Sequence, residues 1–242
     1  LAAIPSLAAS IPPPGNDIPA ADRKQLEQGV AQLAKEIDSL NSSLKDKPAL
    51  LALLPDVEIY HKAVDWPLRF HELIDGKKAK TALAHGMERA KLLAEGKTPW
   101  LTAGGVRAYV SRIDGSIQPY ILMMPKDYSP QAAKKYRLDF FYHGRSETLT
   151  ELNFISGKQN EAPAPSGDHF TIHPYGRYCC ANKFAGEIDT LEILDQTRRE
   201  YPIDDNRVIV TGFSMGGAAC WHIAVHYADL WAAASPGAGF AE

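Results

Sequence analysis

The chain has 242 residues, of which 45% are hydrophobic and 23% charged, and a formal net charge of −3. That balance suits one large globular domain, or a domain with an extension, and excludes overall disorder. No basic stripe of the kind that binds nucleic acid is present, and no apolar run is long enough to span a membrane.

Residues 1–10 are uncharged and end in small side chains. They resemble the tail of a secretory signal without its initiator Met or basic start, which points to export, periplasmic or extracellular; a flexible arm is the alternative. Ile11-Pro-Pro-Pro-Gly15 reads as a stiff linker, so residues 1–18 form an arm or signal remnant. In residues 19–45 the positions Leu26, Val30, Leu33, Ile37, Leu40 and Leu44 alternate steps of four and three, one face of a long helix. Residues 57–74 form a second helical stretch that Pro67 breaks or kinks. Residues 77–95 form a third, with Leu83, Met87, Ala90 and Leu93 on one side and Gly96 as C-terminal cap. Residues 19–98 therefore read as a helical accessory region without a catalytic motif.

The pattern changes at Pro99-Trp100, where a second unit, residues 99–242, begins. Residues 106–112 and 117–124 are two strands joined by Asp114-Gly115-Ser116, a hairpin signal. Residues 136–142 are a third strand ending at His143-Gly144-Arg145, and residues 170–173 a short fourth. Residues 184–201 are a helix that buries Phe184, Ile188, Leu191 and Leu194. Residues 208–211 are the next strand, followed by a helix to about Tyr227 and a last strand over 230–235. A hairpin and then strands alternating with helices predict an α/β sheet of the doubly wound kind.

The most informative segment is Arg207 to Trp221. The β-branched run Val208-Ile209-Val210-Thr211 leads into Gly212-Phe213-Ser214-Met215-Gly216, and an Ala-rich helical stretch follows. A strand–turn–helix is the setting that gives G-x-S-x-G its chemical meaning. The turn lifts the Ser214 hydroxyl clear of the sheet, and Gly212 and Gly216 let strand and helix pass closely. Free N–H groups at the helix start suit an oxyanion.

Other polar clusters carry less. The loop from His173 to Tyr178 either lines a cleft beyond the strand ends or is a plain surface loop. Glu187, Asp189, Glu192 and Asp195 read as a solvated helix face. Cys179, Cys180 and Cys220 match no zinc pattern, and no metal or other cofactor is expected. Buried thiols are one reading of them. A disulfide from Cys220 to Cys179 or Cys180, with one thiol left over, is the other.

With Ser214 so placed, the chain resembles the α/β-hydrolase superfamily. Within it the chain looks like the prolyl-oligopeptidase-like serine peptidases and their esterase relatives, over roughly residues 105–242. The residues that carry the likeness are Gln118-Pro119-Tyr120, the His143-Gly144 loop, residues 201–207 and Gly212 to Gly217. The resemblance implies an acyl-enzyme on Ser214 and cleavage of a small ester or peptide. It implies an oxyanion hole from the N–H of Met215 and one from Gly144 or Arg145, with His143 structural.

The resemblance also implies an acid and then a histidine after the serine, each at a strand end. Only 28 residues follow Ser214. His222 and His226 lie on its own helix, His222 about 12 Å along the axis. The expectation is an incomplete chain, inactive alone, whose triad partners lie beyond Glu242; a pseudoenzyme or a half-protein are alternatives. The competing function is a non-catalytic binding protein that docks a partner on residues 19–96.

Overall fold

In the computed structural model, which describes residues 12–159 and 167–241, the four-and-three spacing closes into helix α1 (Ala20–Ser43). It buries Leu26, Leu33 and Leu40. The signal-like residues 1–10 lie outside the described residues. The described part of the arm is docked: the Asn16 side chain accepts from the Ile74 N–H at 2.7 Å and donates to its carbonyl at 3.1 Å.

A short α2 (Pro48–Leu51) leads into α3 (Pro55–Phe70). Pro67 does not break α3; it sits in the last turn, and the helix ends three residues later at a left-handed His71. A proline this close to the end removes one hydrogen bond from a turn that is about to finish, and its buried ring adds to the core. Helix α4 (Gly76–Ala94) starts on Asp75, whose carboxylate accepts from the N–H groups of Lys77 and Lys78. It ends as expected at Gly96, with φ 71°; Gly96 N–H reaches Leu93 O and Lys97 N–H reaches Leu92 O. One turn, α5 (Trp100–Ala103), precedes the sheet.

Six strands follow: β1 (Gly105–Val110), β2 (Ile117–Met123), β3 (Tyr136–Tyr142), β4 (Phe170–Pro174), β5 (Ile203–Phe213) and β6 (Ala233–Gly237). Their order across the sheet is β1-β2-β4-β3-β5-β6. The hairpin pairs Val110 with Ile117, and β2 is antiparallel to β4. Strands β4, β3, β5 and β6 run parallel, so their carboxyl ends share one rim. Between β3 and β4 lies α6 (Glu151–Gln159), a helix the sequence reading missed because Gly157 and mixed polarity blur its period. Its Glu151 forms a buried ion pair with Lys62 of α3 at 2.6 Å.

Helices cover both faces, which makes the sheet doubly wound, as expected. On one face, Val106, Ala108 and Ile121 share a core with Leu152 and Ile155 of α6 and with the leucines of α1, α3 and α4. On the other, Leu138, Phe140, Val208 and Val210 pack against α7 (Ala185–Glu200) and α8 (Met215–His226) through Ile193, Leu194, Cys220 and Ile223. The helical region thus shares its core with the first two strands. Among the described residues no helix is long and apolar enough to cross a membrane.

Two expectations about α7 fail. Phe184 is not on the buried face but stands 86% exposed before the helix, and Ile188 and Leu191 are only half-buried. Asp189 and Glu192 are buried instead of solvated. Their register is set by ion pairs: Arg177 meets Asp189 at 2.9 Å and Arg112 meets Glu192 at 3.3 Å. The last strand also starts later than expected, at Ala233, after a 3-10 turn over Ala228–Leu230.

Candidate active site

Strand β5 is interior to the sheet, between β3 and the edge strand β6, and parallel to both, so its end projects Ser214 at the rim where all four parallel strands finish. Ser214 has φ 56° and ψ −120° and forms the junction to α8. That conformation disfavours any side chain by about 1–3 kcal/mol. The surroundings hold it: Ser214 N–H donates to Gly237 O at 2.9 Å, and Ala218 N–H donates to Ser214 O at 3.0 Å. The side chain is exposed and makes no helix-cap bond.

The two glycines that flank the serine turn are required by contact. A Cβ on Gly216 would lie 2.0 Å from Tyr142 O, and one on Gly212 2.3 Å from Gly216 O. Gly216→Ala is therefore expected to destabilise the fold by about 1–3 kcal/mol or more. Gly144→Ala is expected to leave it nearly unchanged, since its Cβ would meet nothing closer than Phe213 O at 3.6 Å. Denaturant midpoints of the two variants check this pair; equal losses would contradict it.

The structure brings the loop after β3 beside the serine, a Cβ on Gly144 standing 4.0 Å from Ser214 Cβ. Met215 opens α8, where the first N–H groups have no partner within the helix. Arg145 turns its guanidinium to Glu147, 2.8 Å away, and is exposed. His143 places Nδ1 2.9 Å from Gly144 O and Nε2 2.9 Å from Tyr175 O. Both ring nitrogens face backbone carbonyls, the geometry of a histidine that fixes a loop.

Sequence reasoning offered the loop from His173 to Tyr178 as a cleft lining or a plain surface loop, but missed its strained course on to Phe184. Arg177, Tyr178, Ala181, Asn182 and Phe184 all have positive φ. Five such residues in eight positions is a concentration of strain typical of binding sites. Tyr178 donates its hydroxyl to Glu147 O, and Cys179 Sγ donates to Ser146 O at 3.2 Å, which ties this loop to the one carrying Gly144. Ala181 packs on Met215. The readable signals were Gly176 and Asn182, residue types that tolerate left-handed backbone. A cavity of about 530 Å³ between this loop and α3 is lined by Lys62, Trp66, Glu151, Tyr175 and Tyr178.

Cys179, Cys180 and Cys220 are free thiols. Burial pushes the Cys180 and Cys220 thiols up, away from the nucleophilic thiolate. Among the described residues no hydrogen bond joins Ser214 Oγ to a histidine; His222 pairs with Glu187 at 2.6 Å, on the flank of α8.

No family model matches the chain, and no curated protein matches it. Solved structures similar to it include a thermostable esterase, 23% identical over 54% of this chain and 40% of that chain, with a TM-score of 0.40. The fluorophosphonate-binding serine hydrolase FphF of Staphylococcus aureus is 21% identical over 54% of this chain and 55% of its own, with a TM-score of 0.44. The S-formylglutathione hydrolase FrmB of the same organism is 20% identical over 57% of each chain, also at 0.44. The chain thus spans 40% to 57% of the length of these three structures, which are esterases and serine hydrolases.

Proposed function

We propose that the protein is a serine hydrolase in which Ser214 attacks the carbonyl carbon of an ester or peptide bond. The observation that carries this is the backbone of Ser214 itself: an exposed hydroxyl held at φ 56° between an interior parallel strand and a helix N-terminus. A position that disfavours side chains retains one whose hydroxyl is presented to solvent, the nucleophile-elbow arrangement. Attack forms a tetrahedral intermediate whose oxyanion is stabilised by the Met215 N–H and by the Gly144–Arg145 backbone. The alcohol or amine leaves, and water releases the acyl group from Ser214.

A serine hydroxyl needs a base, and the base an orienting acid. His143 is engaged by carbonyls and His222 by Glu187. The proposal therefore takes both groups from sequence that follows Glu242, in the order serine, acid, histidine. The prolyl-oligopeptidase-like reading makes the substrate a peptide; the esterase reading makes it a carboxylic ester. The geometry at Ser214 serves both.

The test compares the 242-residue chain with the natural full-length protein on p-nitrophenyl acetate and on a chromogenic peptide. The full-length protein is expected to give a nitrophenolate burst and turnover, and the preferred substrate class is the one with the higher kcat/KM. The 242-residue chain is expected to reach no more than the roughly 10³-fold acceleration that oxyanion donors give without a triad. Full-length protein inert towards both substrates would overturn the proposal. Fast, Ser214-dependent turnover by the shorter chain would move the base to His143.

A further inference from the structure

His222 and His226 stand four residues apart on α8, so their rings lie one above the other on one flank, with centroids 4.0 Å apart. That flank faces the first turn of α7, where Glu187 points between them. Glu187 Oε2 lies 2.6 Å from His222 Nε2, and Glu187 Oε1 lies 3.6 Å from His226 Nδ1. The second distance is too long for a hydrogen bond. One carboxylate thus faces two imidazole nitrogens and bonds only one of them. The Tyr227 hydroxyl donates to the same Oε1.

One donor atom from each of Glu187, His222 and His226 falls within 4.8 Å of the others. Two imidazole nitrogens and one carboxylate oxygen are the donor set of zinc and its neighbours; calcium and magnesium prefer all-oxygen shells. Around a tetrahedral zinc such donors stand about 3.4 Å apart, so side-chain rotations of about an ångström would close the site. Tyr227 then plays the part of the outer partner that orients a ligating carboxylate.

We propose that Glu187, His222 and His226 form a binding site for a divalent transition-metal ion of the zinc class, which clamps α7 to α8. The site lies on the flank of α8, about 12 Å along the axis from Ser214 at its nearer histidine. It stands independently of the hydrolase reading.

The probe is zinc chloride, titrated calorimetrically into tag-free, chelator-treated protein, with calcium chloride as control. One equivalent of zinc is expected to bind and calcium none. At a hundredfold excess over Kd the thermal midpoint is expected to rise on the order of 5 °C. His226→Ala leaves the Glu187–His222 pair in place and removes a half-exposed side chain, so it keeps the fold; it is expected to weaken zinc at least tenfold and cancel the thermal shift. Glu187→Gln is expected to do the same. No zinc binding by the unsubstituted protein, or equal binding by it and His226→Ala, would overturn the proposal.

Discussion

Replacing Ser214 by Ala in the full-length protein is expected to cut kcat/KM for activated esters by about 10³-fold or more, and to abolish covalent labelling by a fluorophosphonate probe. The fold should not notice. The side chain is exposed and makes no cap bond, so denaturant midpoints of the two proteins are expected to agree within about 0.5 kcal/mol. Ser214→Gly separates the two roles of the position. Glycine adopts φ 56° without penalty, so it should be as inactive as the alanine variant yet more stable by about 1 kcal/mol. Labelling that survives Ser214→Ala would remove the serine from the chemistry. A glycine variant less stable than the alanine one would remove the strain argument.

The largest effect on stability is expected far from the serine, at Asp56. This α3 carboxylate is 1% exposed and accepts from three donors: Arg107 Nε at 3.0 Å, the Ala108 N–H at 2.7 Å and the Trp100 indole at 3.0 Å through its two oxygens, with Arg107 bridging both. Arg107, fully buried on β1, also donates to the Tyr201 hydroxyl at 2.8 Å and pairs with Glu200 at 2.9 Å. One polar node therefore joins the helical region, the first strand and the end of α7. Asp56→Ala strands a buried guanidinium, an indole and a backbone N–H together, at a cost of about 3–5 kcal/mol. Against a typical domain stability of about 5–15 kcal/mol, that lowers the thermal midpoint on the order of 10 °C. Asp56→Asn keeps an acceptor of the same shape and is expected to lose less. A loss below about 1 kcal/mol for the alanine variant would show that Glu200 and water replace the carboxylate.

Asp56 also marks where the linear reading stops. Nothing in Pro55-Asp56-Val57 says that this aspartate, and not Asp65 nine residues on, is the buried one. Its partners come from 44 to 52 positions away, and only the packing of α3 on β1 brings them together. The same holds for Asp189 and Glu192. They read as a wet helix face until the arginines that neutralise them are placed by the hairpin and by the loop after β4. The loop from Gly176 to Phe184 lay outside periodicity altogether, because its strain is imposed by ties to Glu147, Ser146 and Met215 and not by local preference. Helix α6 was missed because its own period is blurred, and it is placed by long-range partners: the Lys62–Glu151 pair and the core around Leu152 and Ile155.

What the sequence alone determined was everything governed by short-range sterics and period. The leucine spacing of α1, the alternation of β3 and β5 and the Gly96 cap each depend on neighbours within one or two turns of chain, and the Gly212-x-Ser214-x-Gly216 turn is legible in its own five residues although Tyr142 and Gly237 help to hold it. Those elements stand where their local chemistry put them, and with them the position of Ser214. The tertiary structure alone decided which charges are buried, that the helical region and the first two strands share one core, and that Glu187 meets His222 and His226. A charge is buried only when an opposite charge is delivered to it, and delivery from as far as 89 residues away is a property of the folded chain.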